Sequence, residues 1–118
     1  MAKPKPLQRN IFIYQGDTFE KSFRFESFDA DGATEGYVDF TGATGQAEVR
    51  EEAGGALLAT ITVAFGAEQG VVDLRIEKED TDIAEGVYFW DLEIDESSGD
   101  RHTYMRGAAI VTADVTEV

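Results

Sequence analysis

The chain has 118 residues, 42% of them hydrophobic, with 24 acidic and 10 basic side chains and a formal net charge of −14. That length suits one domain with its own core, and so acidic a surface repels phosphates, which excludes DNA and RNA as expected partners. The absence of cysteine and the presence of one histidine, His102, exclude disulfides, thiolate nucleophiles and paired-imidazole metal sites, and no apolar run approaches the roughly 18 residues that span a bilayer.

Basic residues concentrate at the start. Lys3, Lys5 and Arg9 fall within the first ten residues, a stretch that holds no acid. Pro4 and Pro6 favour an extended arm there over a helix. The stretch has no apolar h-region, so a secretory signal is not expected. The predicted division is therefore an extended basic arm over 1–10 and a β-domain over 11–118.

Ile11 to Tyr14 reads as a short strand, closed by the turn residues Gln15-Gly16-Asp17. Thr18 to Glu26 alternates, placing Phe19, Phe23 and Phe25 on a core side together with one misfit, Lys21, which suits an edge where its amine can reach water. Asp29-Ala30-Asp31-Gly32 is a tight turn, and Thr34 to Tyr37 reads as loop. Ala43 to Glu51 alternates again, directing Ala47 and Val49 inward, and Gly54-Gly55 forms a hairpin connection. Leu57, Ala59, Ile61, Val63 and Phe65 make the next inward set, followed by Val72, Leu74 and Ile76. Lys78 to Glu85 is polar and about two turns long, and suits a single helical turn bridging two sheets.

The densest apolar stretch is Gly86 to Glu96. Its even positions, Tyr88, Trp90, Leu92 and Ile94, form a core face. Its odd positions pass from Val87 and Phe89 to Asp91, Glu93 and Asp95. Ser97 to Asp100 is a hairpin tip, and a last strand runs from Thr103 to Thr112. Gly107 inside it signals a bulge or a close backbone approach. About seven strands separated by turn signals predict an all-β, immunoglobulin-like antiparallel β-sandwich with one short helical turn.

No constellation predicts an enzyme, a cofactor or a metal. Asp91, Glu93 and Asp95 share a strand face with Glu96 beside them, and alternate strand residues are about 6 to 7 Å apart, a separation glycosidase carboxylates use. In so acidic a chain a solvated outer face is the simpler reading. Asp29-Ala30-Asp31-Gly32 starts like a calcium loop but breaks the twelve-residue ligand pattern after its glycine. His102, between Arg101 and Thr103, reads as exposed and unpartnered.

The turns and core positions, taken in order, carry a resemblance. Gln15-Gly16-Asp17-Thr18-Phe19, Asp31-Gly32, Asp39-Phe40-Thr41-Gly42-Ala43-Thr44 with Val49-Arg50, Gly70 with Val72 and Leu74, and Asp80-Thr81 with Ile83 begin the series. Gly86 to Glu93, Arg106-Gly107, Val111-Thr112 and Val115-Thr116 complete it. In that order the chain resembles small β-sandwich virion proteins of tailed bacteriophages, related to the N-terminal domains of baseplate upper proteins. Phe40 stands where leucine is usual in that family, and Trp90 where tyrosine is common. The matching positions are turn formers and core residues, so the resemblance implies a scaffold and transfers no catalytic residue.

It also implies a non-enzymatic virion component of the tail, baseplate or neck. Such a component would be assembled in the bacterial host cytoplasm and would contact other phage structural proteins and copies of itself in a symmetric assembly. Lys3, Lys5 and Arg9 are the expected partner-binding residues, docking on a neighbour's acidic face. The alternatives are a capsid decoration protein, or a carbohydrate- or host-receptor-binding module using Tyr37, His102 and Tyr104 at loop tips.

Overall fold

In the computed structural model of the chain, which describes residues 6–113, ten strands carry the fold. They are β1 (Leu7–Gln8), β2 (Ile11–Tyr14), β3 (Phe19–Arg24), β4 (Glu26–Phe28), β5 (Thr34–Tyr37), β6 (Thr44–Arg50), β7 (Leu57–Phe65), β8 (Val71–Ile76), β9 (Gly86–Asp95) and β10 (Arg101–Thr112). The helical element among the described residues is a 3-10 turn over Lys78–Asp80, within the segment predicted to bridge the sheets.

Pairing runs β1–β10–β9–β6–β7–β8–β3, with β2 also on β10, and β4–β5 form a separate hairpin. Strand β7 changes layer part-way. Its first half pairs with β6, through Ala47 opposite Ile61, and its second half with β8, through Val63 opposite Leu74. A strand that switches partners in this way forms the corner of a sandwich. The layer β10–β9–β6 faces the pair β3–β8, the neighbour relations of strands G–F–C and B–E in immunoglobulin domains. The all-β sandwich is as the alternation predicts.

Three details differ from the sequence expectation. The sheet is mixed, because β1 and β2 both run parallel to β10. The described residues form ten strands where about seven were expected, because β1, β4 and β5 are short and exposed and carry no apolar alternation. Thr34–Tyr37 is a strand, not a loop, held by Glu26 opposite Tyr37 and Ser27 opposite Gly36.

Strand β9 organises the core. Trp90, Leu92 and Ile94 are buried, and they meet Ala47, Val49, Ile61, Val72, Leu74 and Ile76 from the strands around them. Trp90 stacks across the layers on Phe23 of β3, with ring centroids 6.5 Å apart. One end of the sandwich closes with aromatics: Phe25 and Phe40 lie 5.3 and 5.6 Å from Tyr104, and Phe40 lies 5.0 Å from Phe65. Lys21 is exposed on β3, which pairs with β8 alone among the described strands, and its ammonium sits 5.8 Å over Phe23. The misfit on the aromatic side is thus an edge lysine, as its position in the alternation implied.

Two bulges decide which side chains enter the core. In β7 the register slips between Val49 opposite Ala59 and Arg50 opposite Leu57, so Leu58 has no partner. The extra residue inverts the alternation at the strand start: Leu58 packs against the core and Leu57, expected inside, is exposed. In β10 the slip lies between Thr103 and Met105, and Tyr104 and Met105 are consecutively buried.

Gly107 is not at the bulge. A Cβ there would collide with the Arg9 carbonyl oxygen, so the glycine serves a close backbone approach, the other of its two predicted roles. In the bridge after β8, Thr81 is buried with its hydroxyl 2.8 Å from the Asp17 carbonyl, and Gln15 Nε2 donates to the Ile83 carbonyl at 2.9 Å. These bonds fasten the bridge to the β2–β3 turn.

Candidate functional site: an exposed sheet face

Strands β2, β10, β9 and β6 bury one face and present the other to solvent. Across the exposed face, register places Phe12 opposite Ile110, Ile110 opposite Val87, Ala108 opposite Phe89, Phe89 opposite Arg50, and Arg50 opposite Leu57. Tyr14 follows Phe12 along β2, opposite Thr112. Phe12, Tyr14, Val87, Phe89 and Leu57 are all exposed large apolar side chains. They form one half of the face.

The other half is acidic. Asp91 sits between Glu48 on β6 and Arg106 on β10, while Glu93 lies opposite Gln46 and Thr103. Asp95 receives a two-bond clasp from Arg101, Nε to Oδ1 at 2.6 Å and Nη2 to Oδ2 at 3.1 Å, which holds its carboxyl below the ordinary aspartate range. Asp91 goes the other way. Partial burial, and then the like charges of Glu93 and Glu48, raise its carboxyl above the ordinary range, against the opposing pull of Arg50. Arg50 is itself engaged, donating to Glu48 at 3.0 Å and to the Gly55 carbonyl at 2.7 Å.

Where the halves meet, an open groove of about 360 Å³ is lined by Gln8, Glu48, Arg50, Phe89, Asp91 and Arg106 among others. A carboxyl with a raised pKa beside a groove has the chemistry of a general acid. Glu48 and Glu52 line the groove with Asp91, and Glu48 and Glu93 are its neighbours on the same face.

No protein-family model matches the sequence, and no curated protein matches it.

The residues expected at a binding site disperse. Lys3 and Lys5 lie outside the described residues. Arg9 is exposed, and its main chain is more engaged than its side chain: its amide donates to the Arg106 carbonyl at 3.0 Å and its carbonyl accepts from Trp90 Nε1 at 2.8 Å. Of the expected arm, Leu7–Gln8 form β1 along β10, and Asn10 Oδ1 accepts from the Ala108 amide at 3.2 Å.

Tyr37, His102 and Tyr104 do not make a loop-tip platform. Tyr37 is covered on one face by the Arg24 guanidinium, 3.5 Å from its ring centroid. Tyr104, expected at a tip, is buried by the β10 bulge, and its hydroxyl lies 3.1 Å from Glu96. Burial and that carboxylate push its phenol well above the ordinary tyrosine value. His102, expected to be exposed and unpartnered, is half-buried opposite Ile94, with Nε2 3.7 Å from Glu96.

Among the described residues, no three His, Cys, Asp or Glu side chains gather to hold a metal ion. In the Asp29–Asp31 turn, Asp29 Oδ1 accepts from the amides of Asp31 and Ala33, both at 2.9 Å, so that carboxylate caps its own turn. The alternation in Gly86–Glu96 already separated Val87 and Phe89 from the core face. What single-strand reading lacked was the cross-strand register that adds Phe12, Ile110 and Leu57 to them.

Proposed function

We propose that this chain is a non-enzymatic structural subunit of a tailed-bacteriophage virion, working through contacts with other virion proteins and with copies of itself. The observation that carries the reading is the exposed sheet face. A domain whose core is already filled leaves five large apolar side chains in water on one side of one layer, and a surface of that kind marks a protein contact. The resemblance in turn and core positions to phage β-sandwich proteins supplies the setting. The acidic half of the face, with Glu48, Asp91 and Glu93, is a suitable seat for the basic segment bearing Lys3, Lys5 and Arg9 from a neighbouring subunit.

Mass spectrometry of purified particles from a phage carrying this gene tests the placement. The chain is expected in a fixed stoichiometric ratio to other virion proteins, and its absence overturns the reading. Replacing Lys3, Lys5 and Arg9 by glutamine is expected to reduce incorporation, and to do so less at high salt, where screening has already weakened the attraction between opposite charges. Unchanged incorporation removes the arm from the mechanism.

A further inference from the structure

We infer that the apolar half of the exposed sheet face is a self-docking surface, on which two copies of this chain pack patch against patch about a two-fold axis. The inference rests on the reading of a protein that assembles with copies of itself, and it names the surface that does so.

Extent is the first argument. Val87 is 69% exposed, Phe12 57%, Tyr14 56%, Phe89 51% and Leu57 49%. Taken with the full areas of such side chains, these fractions expose about 600 Å², the upper end of what a soluble monomer leaves uncovered in one patch. A stable pairwise interface needs about 800 Å² from each partner. The half-buried Ile110 and Ala108 within the patch, Arg50 between Phe89 and Leu57, and the exposed Asn10 bonded to Ala108 add to that area.

Charge and shape choose the occupant. Phe12, Tyr14, Val87, Phe89 and Leu57 carry no charge, and Arg50, which lies between Phe89 and Leu57, is already bonded to Glu48 and to the Gly55 carbonyl. The carboxylates of β9 begin at Asp91, on the far side of Phe89. A charged partner has nothing on the patch to recognise, whereas an apolar surface of the same area complements it without burying an unpaired charge. A second copy carries that surface, and two sheet faces stack about 10 Å apart with their side chains interleaved. A two-fold contact is satisfied by one patch meeting itself, and the acidic halves are then free to point away from one another.

Salt supplies a signature. Each copy bears a net charge of −14, so repulsion opposes the approach of two copies and added salt screens it. The dimer is therefore expected to tighten with salt, whereas docking of a basic arm on an acidic face loosens.

Sedimentation of the purified full chain, from low-micromolar to sub-millimolar concentration and at low and high salt, tests the inference. A reversible dimer strengthened by salt is expected. Val87→Lys and Phe89→Glu, both on solvent-facing positions of β9, are each expected to weaken it by about tenfold or more while leaving the circular dichroism spectrum unchanged. Thr62→Glu, on β7 away from the patch, is expected to leave the dimer intact. A wild-type chain that stays monomeric throughout overturns the inference, as does a dimer indifferent to both β9 variants or one that salt weakens. A dimer in solution with no chain in particles would sink the virion reading alone. A monomer in solution that is nonetheless found in particles would sink this inference alone.

Discussion

The indole Nε1 of Trp90 donates to the main-chain carbonyl of Arg9 at 2.8 Å, across 81 residues of sequence. Trp90 lies opposite Gly107 in the β9–β10 register, and the oxygen that accepts its bond is the atom a Cβ on Gly107 would strike. Tryptophan, glycine and carbonyl thus make one joint, which seats the β1–β2 segment against β10.

Gly107→Ala is expected to cost about 2 to 3 kcal/mol, because the obstruction is backbone and must move as a unit. Trp90→Phe keeps most of the packing and leaves the Arg9 carbonyl unpaired, at about 1 to 2 kcal/mol. Once the joint is open the second change has less to break, so the double variant should lose clearly less than the sum. Urea denaturation of the four proteins checks this; strict additivity would show that the two sites are independent.

The sandwich was legible in the sequence because its long strands each bury one face and obey period two. The alternation in Trp90, Leu92 and Ile94, and in Val72, Leu74 and Ile76, needed no structure to read. What alternation cannot show is an inserted residue. Leu57 and Tyr104 were both misplaced because each neighbours a bulge, and a bulge is fixed by the partner strand's register. The candidate site was half legible for the same reason: Val87 and Phe89 declared themselves, while Ile110 joined them through the antiparallel β9–β10 pairing and Phe12 through the parallel pairing of β2 with β10.

The β7 bulge gives a direct comparison between adjacent leucines. Leu58→Ala removes packing against the core and should destabilise the monomer by about 2 kcal/mol. Leu57→Ala is expected to change it by less than about 0.5 kcal/mol. Thermal melts at concentrations where the chain is monomeric check the order. A larger loss at Leu57 would mean that the strand is paired one residue out of the register seen here.

Arg24 anchors the β4–β5 hairpin. It stacks 3.5 Å from the Tyr37 ring centroid, donates Nε to the Gln69 carbonyl at 3.0 Å and pairs with Glu68 at 3.2 Å. A two-stranded hairpin alone is marginal in water, so its ordering leans on this base. Arg24→Ala should speed amide exchange over Glu26–Tyr37 about fivefold, the equivalent of about 1 kcal/mol, while β9 and β10 are unaffected. Arg24→Lys should recover little of the protection, since an ammonium lacks the flat guanidinium that covers the ring.

Asp91 gives the pH prediction its sign. Partial burial and the neighbouring Glu93 and Glu48 raise its carboxyl above the unfolded value, so the folded protein pays to ionise it. That penalty is absent below the ordinary aspartate pKa of about 3.9, where the group is protonated in both states, and it acts in full above the raised folded value. Asp91→Asn removes it and should stabilise the domain at neutral pH by a few tenths to about 1 kcal/mol, discounted for the group's solvent access. As pH falls through the folded pKa of Asp91, the variant's advantage should shrink toward zero. Melting temperatures of both proteins between pH 3 and pH 8 follow the difference. An advantage that grows toward acid would mean that Asp91 is held ionised by Arg50 and Arg106, and that the acidic half of the face is already neutralised within one subunit.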